Sequence, residues 1–274
     1  MPDIRRISPE EAKKALNSIS SRSFQLVDVR QIEEYNQHHL PGAIPLPLMA
    51  LTDGKTNLEK QRPVLLYSKG TTRSLMAARW LQSHHFEDVA VIEGGLDAWN
   101  GSTAFGHFEL NLNLLSADAE FADAVSIAYA MEEGLRQFYL QLAKETNDEL
   151  FKELYRELAH YEILHMQELA RDYSIELGND PLEDSEGRFQ GQLMEGGGYL
   201  NISLIKSLSR ISNISEVFRL AQAFETQALD FYYRLSIQAE NADVKKFFLA
   251  MADSEREHLS FVSEKLDTYL ANNL

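Results

Sequence analysis

The chain carries the same three potential metal ligands twice, at a constant offset of 93 positions (225 minus 132). The first set is Glu132, Glu162 and His165, and the second set is Glu225, Glu255 and His258. In each set the last two residues are three positions apart, so their side chains lie on one face if the segment is helical. A duplicated set of this kind predicts a two-metal carboxylate site inside a four-helix bundle.

These residues stand where a helix would otherwise carry core side chains. Between residues 117 and 145, apolar residues recur three and four positions apart, and Glu132 fills the gap in that stripe. Glu162 and His165 complete the stripe of the next segment, and two later segments repeat the pattern. An unpaired buried carboxylate is unfavourable by several kcal/mol, so the pattern requires compensating positive charge. Two divalent metal ions would supply that charge.

A third Glu-x-x-His pair, Glu157 with His160, provides an internal control. It lies five residues before Glu162, which rotates it by about 140° around a helix. The positions 93 residues further on are Ala250 and Asp253, so this pair is not duplicated. We predict that it is a solvated surface pair. For the duplicated set, the alternative is a bundle that has kept the pattern and lost the ions.

The composition argues against several functional classes. A net charge of −16 and a pI near 4.9 disfavour nucleic acid and anionic membrane surfaces as partners, because like charges repel. The absence of cysteine excludes disulfides, thiolate metal sites and cysteine nucleophiles within this sequence. There is neither an apolar run of about 18 residues nor a signal-peptide pattern, so we expect a cytoplasmic protein without a membrane span.

The first hundred residues follow a different pattern from the rest. Short β-branched or apolar runs at 24–29, 64–67 and 89–92 alternate with helical stretches at 8–18 and 73–82. This alternation predicts an α/β fold with a parallel sheet. We therefore predict two domains, an α/β domain over residues 1–107 and an all-α four-helix bundle over residues 108–274.

Capping signals mark where the helices should begin. Ser8 and Glu11 form a capping box around Pro9 at the start of the first helix. The predicted starts of the four bundle helices are Ser116, Thr146 with Glu149, Asn213 with Glu216, and Asn241. A connection of some forty residues, 173–212, separates the two helical hairpins, as the crossover of a ferritin-like bundle would. Residues 200–209 within it could form a short extra helix.

Motifs across the amino-terminal domain resemble the rhodanese family. They are Asp28-Val29-Arg30, Glu34-Tyr35, His39-Leu40-Pro41-Gly42-Ala43, Arg73-Ser74, Ala77-Ala78 and Glu93-Gly94-Gly95 with Trp99. A rhodanese carries sulfur on a cysteine after its central strand, and this sequence has Ser68 there. Serine forms no persulfide, so the resemblance implies a domain that is not a sulfurtransferase. Its loop amides and Arg73 could still bind an anion, or the domain is a structural remnant.

Residues 110–274 resemble the rubrerythrin branch of the ferritin-like superfamily. The resemblance rests on the duplicated ligands together with Phe138-Tyr139 and Phe231-Tyr232. It implies two iron ions, with manganese or zinc as alternatives, bridged by Glu162 and Glu255. Glu132 and Glu225 would be terminal ligands, and His165 and His258 would each hold one ion.

The same resemblance implies peroxide or dioxygen as substrate, an external electron donor and a homodimer. One departure is Ala228, because rubrerythrins usually carry a seventh carboxylate one turn after the third-helix glutamate. A second departure is the absence of the cysteine-ligated rubredoxin module. Both departures raise the case for oxygen-dependent Fe(II) oxidation.

Three functional interpretations remain open at this point. The first is a di-iron oxidoreductase that reduces peroxide or dioxygen, the second is a ferroxidase or iron-handling protein, and the third is a non-enzymatic adaptor whose rhodanese-like domain docks a partner. Tyr139 and Tyr232 could hydrogen-bond metal ligands or could be plain core residues. We assign no site to the adjacent histidine pairs at 38–39 and 84–85, because neighbouring loop residues seldom converge on one ion.

Overall fold

The computed structural model describes residues 3–16, 24–177, 193–199 and 213–273, together with residues 205, 208 and 211. It divides into two compact units, Met1–Leu110 and Asn111–Leu274. The first unit is an α/β fold and the second is a helical bundle, which confirms the predicted fold class. Within the described residues, no helix is both long and apolar enough to cross a membrane.

The amino-terminal unit contains a five-stranded parallel sheet in the order β1-β5-β4-β2-β3. The strands are β1 (Arg5–Ile7), β2 (Gln25–Asp28), β3 (Ile44–Pro45), β4 (Val64–Tyr67) and β5 (Val89–Ile92). The three inner strands are fully buried, as expected for a parallel sheet with both faces covered. The sequence pattern predicts these three strands and misses the two edge strands, which are short and partly exposed.

Helices cover both faces of this sheet. They are α1 (Pro9–Leu16), α2 (Ile32–Gln37), α3 (Leu48–Thr52) and α4 (Thr72–Ser83). The predicted capping box at α1 is confirmed, since the Ser8 amide donates to the Glu11 carboxylate at 2.8 Å and the Glu11 amide donates to Ser8 Oγ at 3.2 Å. Two separate clusters of buried apolar residues pack on the sheet and hold β4 in the centre.

The carboxyl-terminal unit is built from two long helical hairpins. The helices are α5 (Phe121–Glu145), α6 (Glu149–Leu177), α7 (Ile214–Gln238) and α8 (Ala242–Asn273). Helix α5 packs mainly against α6, and α7 packs mainly against α8. Aromatic and aliphatic side chains from all four helices fill the core, so each hairpin is stabilised by the apolar stripe of the other.

Part of the predicted crossover forms a small antiparallel hairpin of β6 (Leu193–Met194) and β7 (Gly198–Tyr199). Its backbone comes so close to α5 that a Cβ atom at Gly134 would collide with the carbonyl oxygen of Leu193. On the other side, Gly196 lies against the side chain of Gln227 on α7. The hairpin therefore touches both halves of the bundle. The extra helix predicted at 200–209 lies largely outside the described residues.

Two of the predicted helix starts are wrong. Helix α5 begins at Phe121 and not at Ser116, because Ser116 Oγ bonds the Asp118 side chain within a turn that precedes the helix. Helix α6 is capped by Asp148 and not by Thr146, since Asp148 Oδ1 accepts hydrogen bonds from the amides of Leu150 at 2.9 Å and Phe151 at 3.4 Å. A carboxylate one residue from the helix reaches these amides better than a more distant hydroxyl.

The other two starts are confirmed. Asn213 accepts a hydrogen bond from the Ser215 amide at 2.8 Å at the start of α7. Asn241 Oδ1 accepts one from the Asp243 amide at 2.9 Å at the start of α8. Asparagine is a favoured capping residue because its short side chain reaches the free amides of the first turn.

Candidate metal centre

The bundle brings the six duplicated residues together in its interior. Each helix supplies one glutamate, and α6 and α8 each add a histidine one turn after their glutamate. The four glutamates are between 0% and 4% exposed; they are Glu132, Glu162, Glu225 and Glu255. The ligand atoms within each set lie within 4.8 Å of one another, which is close enough for one ion to contact all three residues.

The histidines connect the glutamates within each set. His165 Nδ1 lies 3.3 Å from Glu132 Oε2 and 3.2 Å from Glu162 Oε2. His258 Nδ1 lies 3.2 Å from Glu255 Oε2 and 3.6 Å from Glu225 Oε2. The two imidazole rings stack in parallel with their centroids 3.4 Å apart. The two sets therefore meet at the histidines and form one continuous centre.

Burial dominates the electrostatics of two of the carboxylates. It raises the pKa of Glu162 well above the ordinary value, and the negative charges of Glu225 and Glu132 raise it further. The pKa of Glu255 is raised in the same way by burial and by the charges of Glu132 and Glu225. Without a cation, these two carboxyl groups therefore favour the protonated form.

The environment of His165 favours the charged form of its side chain, unlike that of Glu162 and Glu255. Burial lowers the pKa of His165, but its hydrogen bonds to Glu132 and Glu162 outweigh that effect and raise the pKa to about 11. Burial also raises the pKa of Glu132, but the hydrogen bond and charge of His165 outweigh it and lower that pKa overall. In the metal-free protein, the His165 imidazole therefore carries a proton in the place that a cation would take.

The polar atoms of this centre fit a bound cation. Three buried carboxylate oxygens have no hydrogen-bond partner within the described part of the chain; they are Glu132 Oε1, Glu225 Oε2 and Glu255 Oε1. A buried oxygen without a donor is unfavourable by about 1–3 kcal/mol, and more when it is charged. Divalent ions compensate such oxygens directly. A mixed set of carboxylates and imidazoles suits iron or manganese, and imidazole also accepts zinc.

The control pair and the histidine pairs lie elsewhere. Glu157 and His160 are exposed on α6, and Glu157 forms an ion pair with Lys265 at 3.0 Å, so the predicted surface position is confirmed. The His39 ring is buried and stacks on Tyr35 at 3.7 Å, while the His84 ring stacks on Trp80 at 3.7 Å.

Two polar contacts within the bundle, one of them to a candidate ligand, are not indicated by the sequence pattern. Ser254 Oγ lies 3.3 Å from His258 Nε2, one turn before it on α8. Arg234 Nε donates to Asp230 Oδ2 at 2.7 Å, and both side chains are buried. The four-residue spacing of each pair is the only signal in the sequence, and it is too common to identify a functional contact.

The loop after β4 in the amino-terminal unit places Ser68 where the rhodanese resemblance expects the sulfur-carrying residue. Ser68 is 1% exposed. Its Oγ donates to the Gly70 carbonyl at 2.6 Å and accepts from the Ser74 amide at 3.3 Å. Gly95 packs so closely that a Cβ atom there would collide with the Ser68 carbonyl oxygen. The loop is therefore held in a tight curve around the hydroxyl.

Arg73, the residue that could bind an anion beside this loop, already has a carboxylate partner. Its guanidinium donates to both oxygens of Glu34, at 2.5 and 2.7 Å. The hydrogen bond from Arg73 lowers the pKa of Glu34 to about 2. An external anion would have to displace this bidentate ion pair.

Comparison with known families finds one match within each unit. A family model for the rhodanese-like domain matches residues 8–102, and the rubrerythrin family model matches residues 213–271. The chain is a fusion of a rhodanese-like domain and a rubrerythrin domain. The second match covers α7 and most of α8 and includes Glu225, Glu255 and His258. The constant offset relates Glu132, Glu162 and His165 on α5 and α6 to those residues.

Several relatives resemble part of the fusion. Thiosulfate sulfurtransferase GlpE of Pseudomonas entomophila is 30% identical over 113 residues, which are 40% of this chain and 100% of that protein. YrkF and YqhL of Bacillus subtilis are 32% and 34% identical, and this chain spans only 53% and 64% of their lengths. A crystal structure of a rhodanese-like domain protein from Staphylococcus aureus is 28% identical, with a TM-score of 0.33, and covers 35% of this chain and 92% of that chain.

Proposed function

We propose that the rubrerythrin domain is a non-haem di-iron oxidoreductase that reduces hydrogen peroxide, or dioxygen, and that the rhodanese-like domain transfers no sulfur. The observation that carries the first part is the convergence of four buried glutamates and two histidines, with three carboxylate oxygens lacking a partner among the described residues. The second part rests on Ser68, because a hydroxyl cannot carry the sulfur that a thiolate carries.

The contacts within the centre support a division of roles between its residues. Glu132 and His165 would hold one ion, and Glu225 and His258 the other. Glu162 would help to hold the first ion and Glu255 the second. His165 would have to release its Nδ1 proton to become a ligand, because only the neutral imidazole binds metal.

When bound, two iron ions would supply the two electrons that convert hydrogen peroxide and two protons into two water molecules, and an external donor would then restore those electrons. The chain's own residues would position the ions and control protons. Tyr139 and Tyr232 each follow the glutamate of their helix by seven residues and are buried. Both side chains pack in the aromatic core of the bundle, Tyr139 beside Phe138 and Tyr232 stacked on Phe248.

Reconstitution with Fe(II) under anaerobic conditions tests the proposal. We expect two ions per chain, and we expect stopped-flow absorbance to show faster oxidation of the reduced protein by hydrogen peroxide than by dioxygen. Glu162→Ala should lose at least one ion, whereas Glu157→Ala, the unduplicated surface glutamate, should retain both. Less than one ion per chain in the wild type, with Glu162→Ala unchanged, would refute the di-metal site.

Ferroxidase activity is a second candidate, and Ala228 favours it. This residue is fully buried one turn after Glu225, where rubrerythrins usually carry a further carboxylate. The nearby buried carboxylate of Asp230 is bonded to Arg234 at 2.7 Å. Rapid oxidation by dioxygen with slow oxidation by peroxide would assign the protein to this class. Ala228→Glu should then shift the ratio back towards peroxide.

A further inference from the structure

The two ends of the metal centre differ, although the ligand sets are duplicated. Helices α6 and α8 run antiparallel beside the centre, because His165 faces His258 while Tyr161 faces Phe261 and Glu157 faces Lys265. Beyond the histidines there are therefore two equivalent gaps between these helices. The duplication relates one gap to the other, since each position in the first has a counterpart 93 residues away in the second.

One gap is closed by an aromatic pair. The rings of Tyr161 and Phe261 meet edge to face with their centroids 4.7 Å apart. Over them, Lys265 Nζ lies 5.3 Å from the Phe261 ring centroid and 3.0 Å from Glu157 Oε1. The Tyr161 hydroxyl also lies 3.3 Å from that carboxylate oxygen. Packing and an ion pair together seal this end, which we call the closed end.

The other gap is a cavity of about 160 Å³ that reaches the centre. The three positions equivalent to those of the closed end carry smaller or polar side chains. Glu157, Tyr161 and Phe261 are replaced by Ala250, Ser254 and Glu168, respectively. All three replacements line the cavity. We call this gap the open end.

The open end has polar atoms from the surface to the ligands. Glu168 is exposed at its outer edge. His165 and Glu132 line its inner part, and Glu132 Oε1 is one of the buried oxygens without a partner in the described residues. A cation that moves inwards passes from one carboxylate to another, and both attract it.

We propose that divalent cations enter the centre through the open end, with Glu168 as the first group that binds them, and that the Tyr161–Phe261 pair blocks the equivalent route. This inference rests on the proposed metal binding of the centre. Cations would then reach one ligand set more easily than the other, although the two sets have the same composition. The set that contains Glu132 and His165 meets the incoming cation first.

The absence of cysteine allows a clean test. Glu168→Cys introduces a single thiol on the surface, which a bulky methanethiosulfonate reagent can modify after the metal-free protein has folded. Stopped-flow absorbance then measures the uptake rate of Co²⁺. We expect modification to slow uptake by about tenfold or more, because the label blocks the mouth of the cavity through which the field of the buried carboxylates attracts cations. Release of the label by a reductant, followed by buffer exchange, should restore the rate of the unmodified variant.

The symmetry-matched control is Phe261→Cys, modified in the same way. Its uptake rate should not fall below that of the wild type. Ser254→Tyr provides an independent measurement, because it builds the closed end's tyrosine at the equivalent position, and it should also slow uptake. Equal slowing in both labelled variants, or no slowing at Glu168→Cys, would overturn the inference.

The number of ions bound at equilibrium separates this inference from the proposed function. We expect labelled Glu168→Cys to bind as much Co²⁺ as the wild type after long incubation. A wild-type protein that binds no metal would refute the proposed function and this inference together. Normal equilibrium binding with an unchanged uptake rate would refute the route alone.

Discussion

The rhodanese-like loop and the candidate metal centre differ in whether their buried polar atoms have hydrogen-bond partners. Ser68 is almost fully buried, but its hydroxyl both donates and accepts a hydrogen bond within its own loop. In the centre, three buried carboxylate oxygens have no donor among the described residues. The loop therefore satisfies its buried hydroxyl without a ligand, whereas the centre leaves buried acceptors that a cation can bind. Satisfied and unsatisfied buried polar groups thus distinguish these two sites.

The largest expected effect of this difference is on thermal stability. A metal present at about 1,000 times its Kd should stabilise the bundle by about 4 kcal/mol, because it binds only the folded centre. Circular dichroism of metal-loaded and chelator-treated protein should show a large shift of the helical transition. The two tryptophans, Trp80 and Trp99, both lie in the rhodanese-like domain. The unfolding transition that tryptophan fluorescence reports should not shift. An equal shift in the fluorescence and circular dichroism transitions would contradict the difference between the two sites.

The second-largest expected effect is the dependence of metal affinity on pH. The pKa of His165 is raised to about 11 by Glu132 and Glu162 against the effect of burial, so this imidazole is protonated at neutral pH without metal. Binding must displace that proton, and the raised pKa values of Glu162 and Glu255 imply further proton release. Affinity should therefore fall as pH falls, with roughly one to three protons released per chain near pH 7. Calorimetry in buffers of different ionisation enthalpy counts them, and zero release would refute this account.

The third effect concerns sulfur transfer by the rhodanese-like domain. The wild type should convert no thiosulfate and cyanide above a no-enzyme control, because Ser68 provides no thiolate. Ser68→Cys should restore weak turnover, since the tight loop and the start of α4 still surround that position. Ser74→Cys offers a matched control with a buried thiol nearby. Turnover by the wild type would contradict the proposal. No turnover by Ser68→Cys would show that the loop no longer supports sulfur transfer.

The smallest effect concerns the Glu34–Arg73 ion pair. The hydrogen bond from Arg73 lowers the pKa of Glu34 to about 2, below its ordinary value of 4.5. The pair therefore contributes stability above about pH 4.5, and that contribution is lost as the pH falls towards 2. Both side chains are about one-third exposed, which limits the contribution to roughly 0.5–1 kcal/mol.

Urea unfolding followed by tryptophan fluorescence measures this contribution at pH 7 and at pH 3. Glu34→Gln should lower the stability of the rhodanese-like domain at pH 7 and lower it less at pH 3. Glu33→Gln is the matched control on the same helix, because Glu33 is exposed. An equal loss for both variants at pH 7 would remove the role assigned to the ion pair.

The sequence predicts the convergence of the six residues well, because duplication is a property of spacing alone. Glu132 and Glu225 stand out as charges within an apolar stripe, and the structure places both in the interior. The two wrong helix starts, at Ser116 and Thr146, have a common cause. Several residues before each helix could act as a cap, and the choice depends on the path of the preceding turn.

The difference between the open and closed ends could not be predicted in this way. It depends on which side chains of α6 meet those of α8, for example Tyr161 and Phe261. These residues are a hundred positions apart, and neither belongs to the apolar stripe that identifies the bundle. Likewise, the partner of Arg73 lies on another element, so spacing along the chain gives no sign of it.

The small β-hairpin of the crossover limits how alike the two halves of the bundle can be. Gly134 and Gln227 are equivalent positions of the duplication, and each contacts this hairpin. A single hairpin cannot present the same atoms to both. It meets position 134 through the Leu193 carbonyl, where only glycine fits, and position 227 through Gly196, where a long side chain packs. Two identical repeats would clash on one side or leave a gap on the other, so divergence of the halves is a condition for joining them through this crossover.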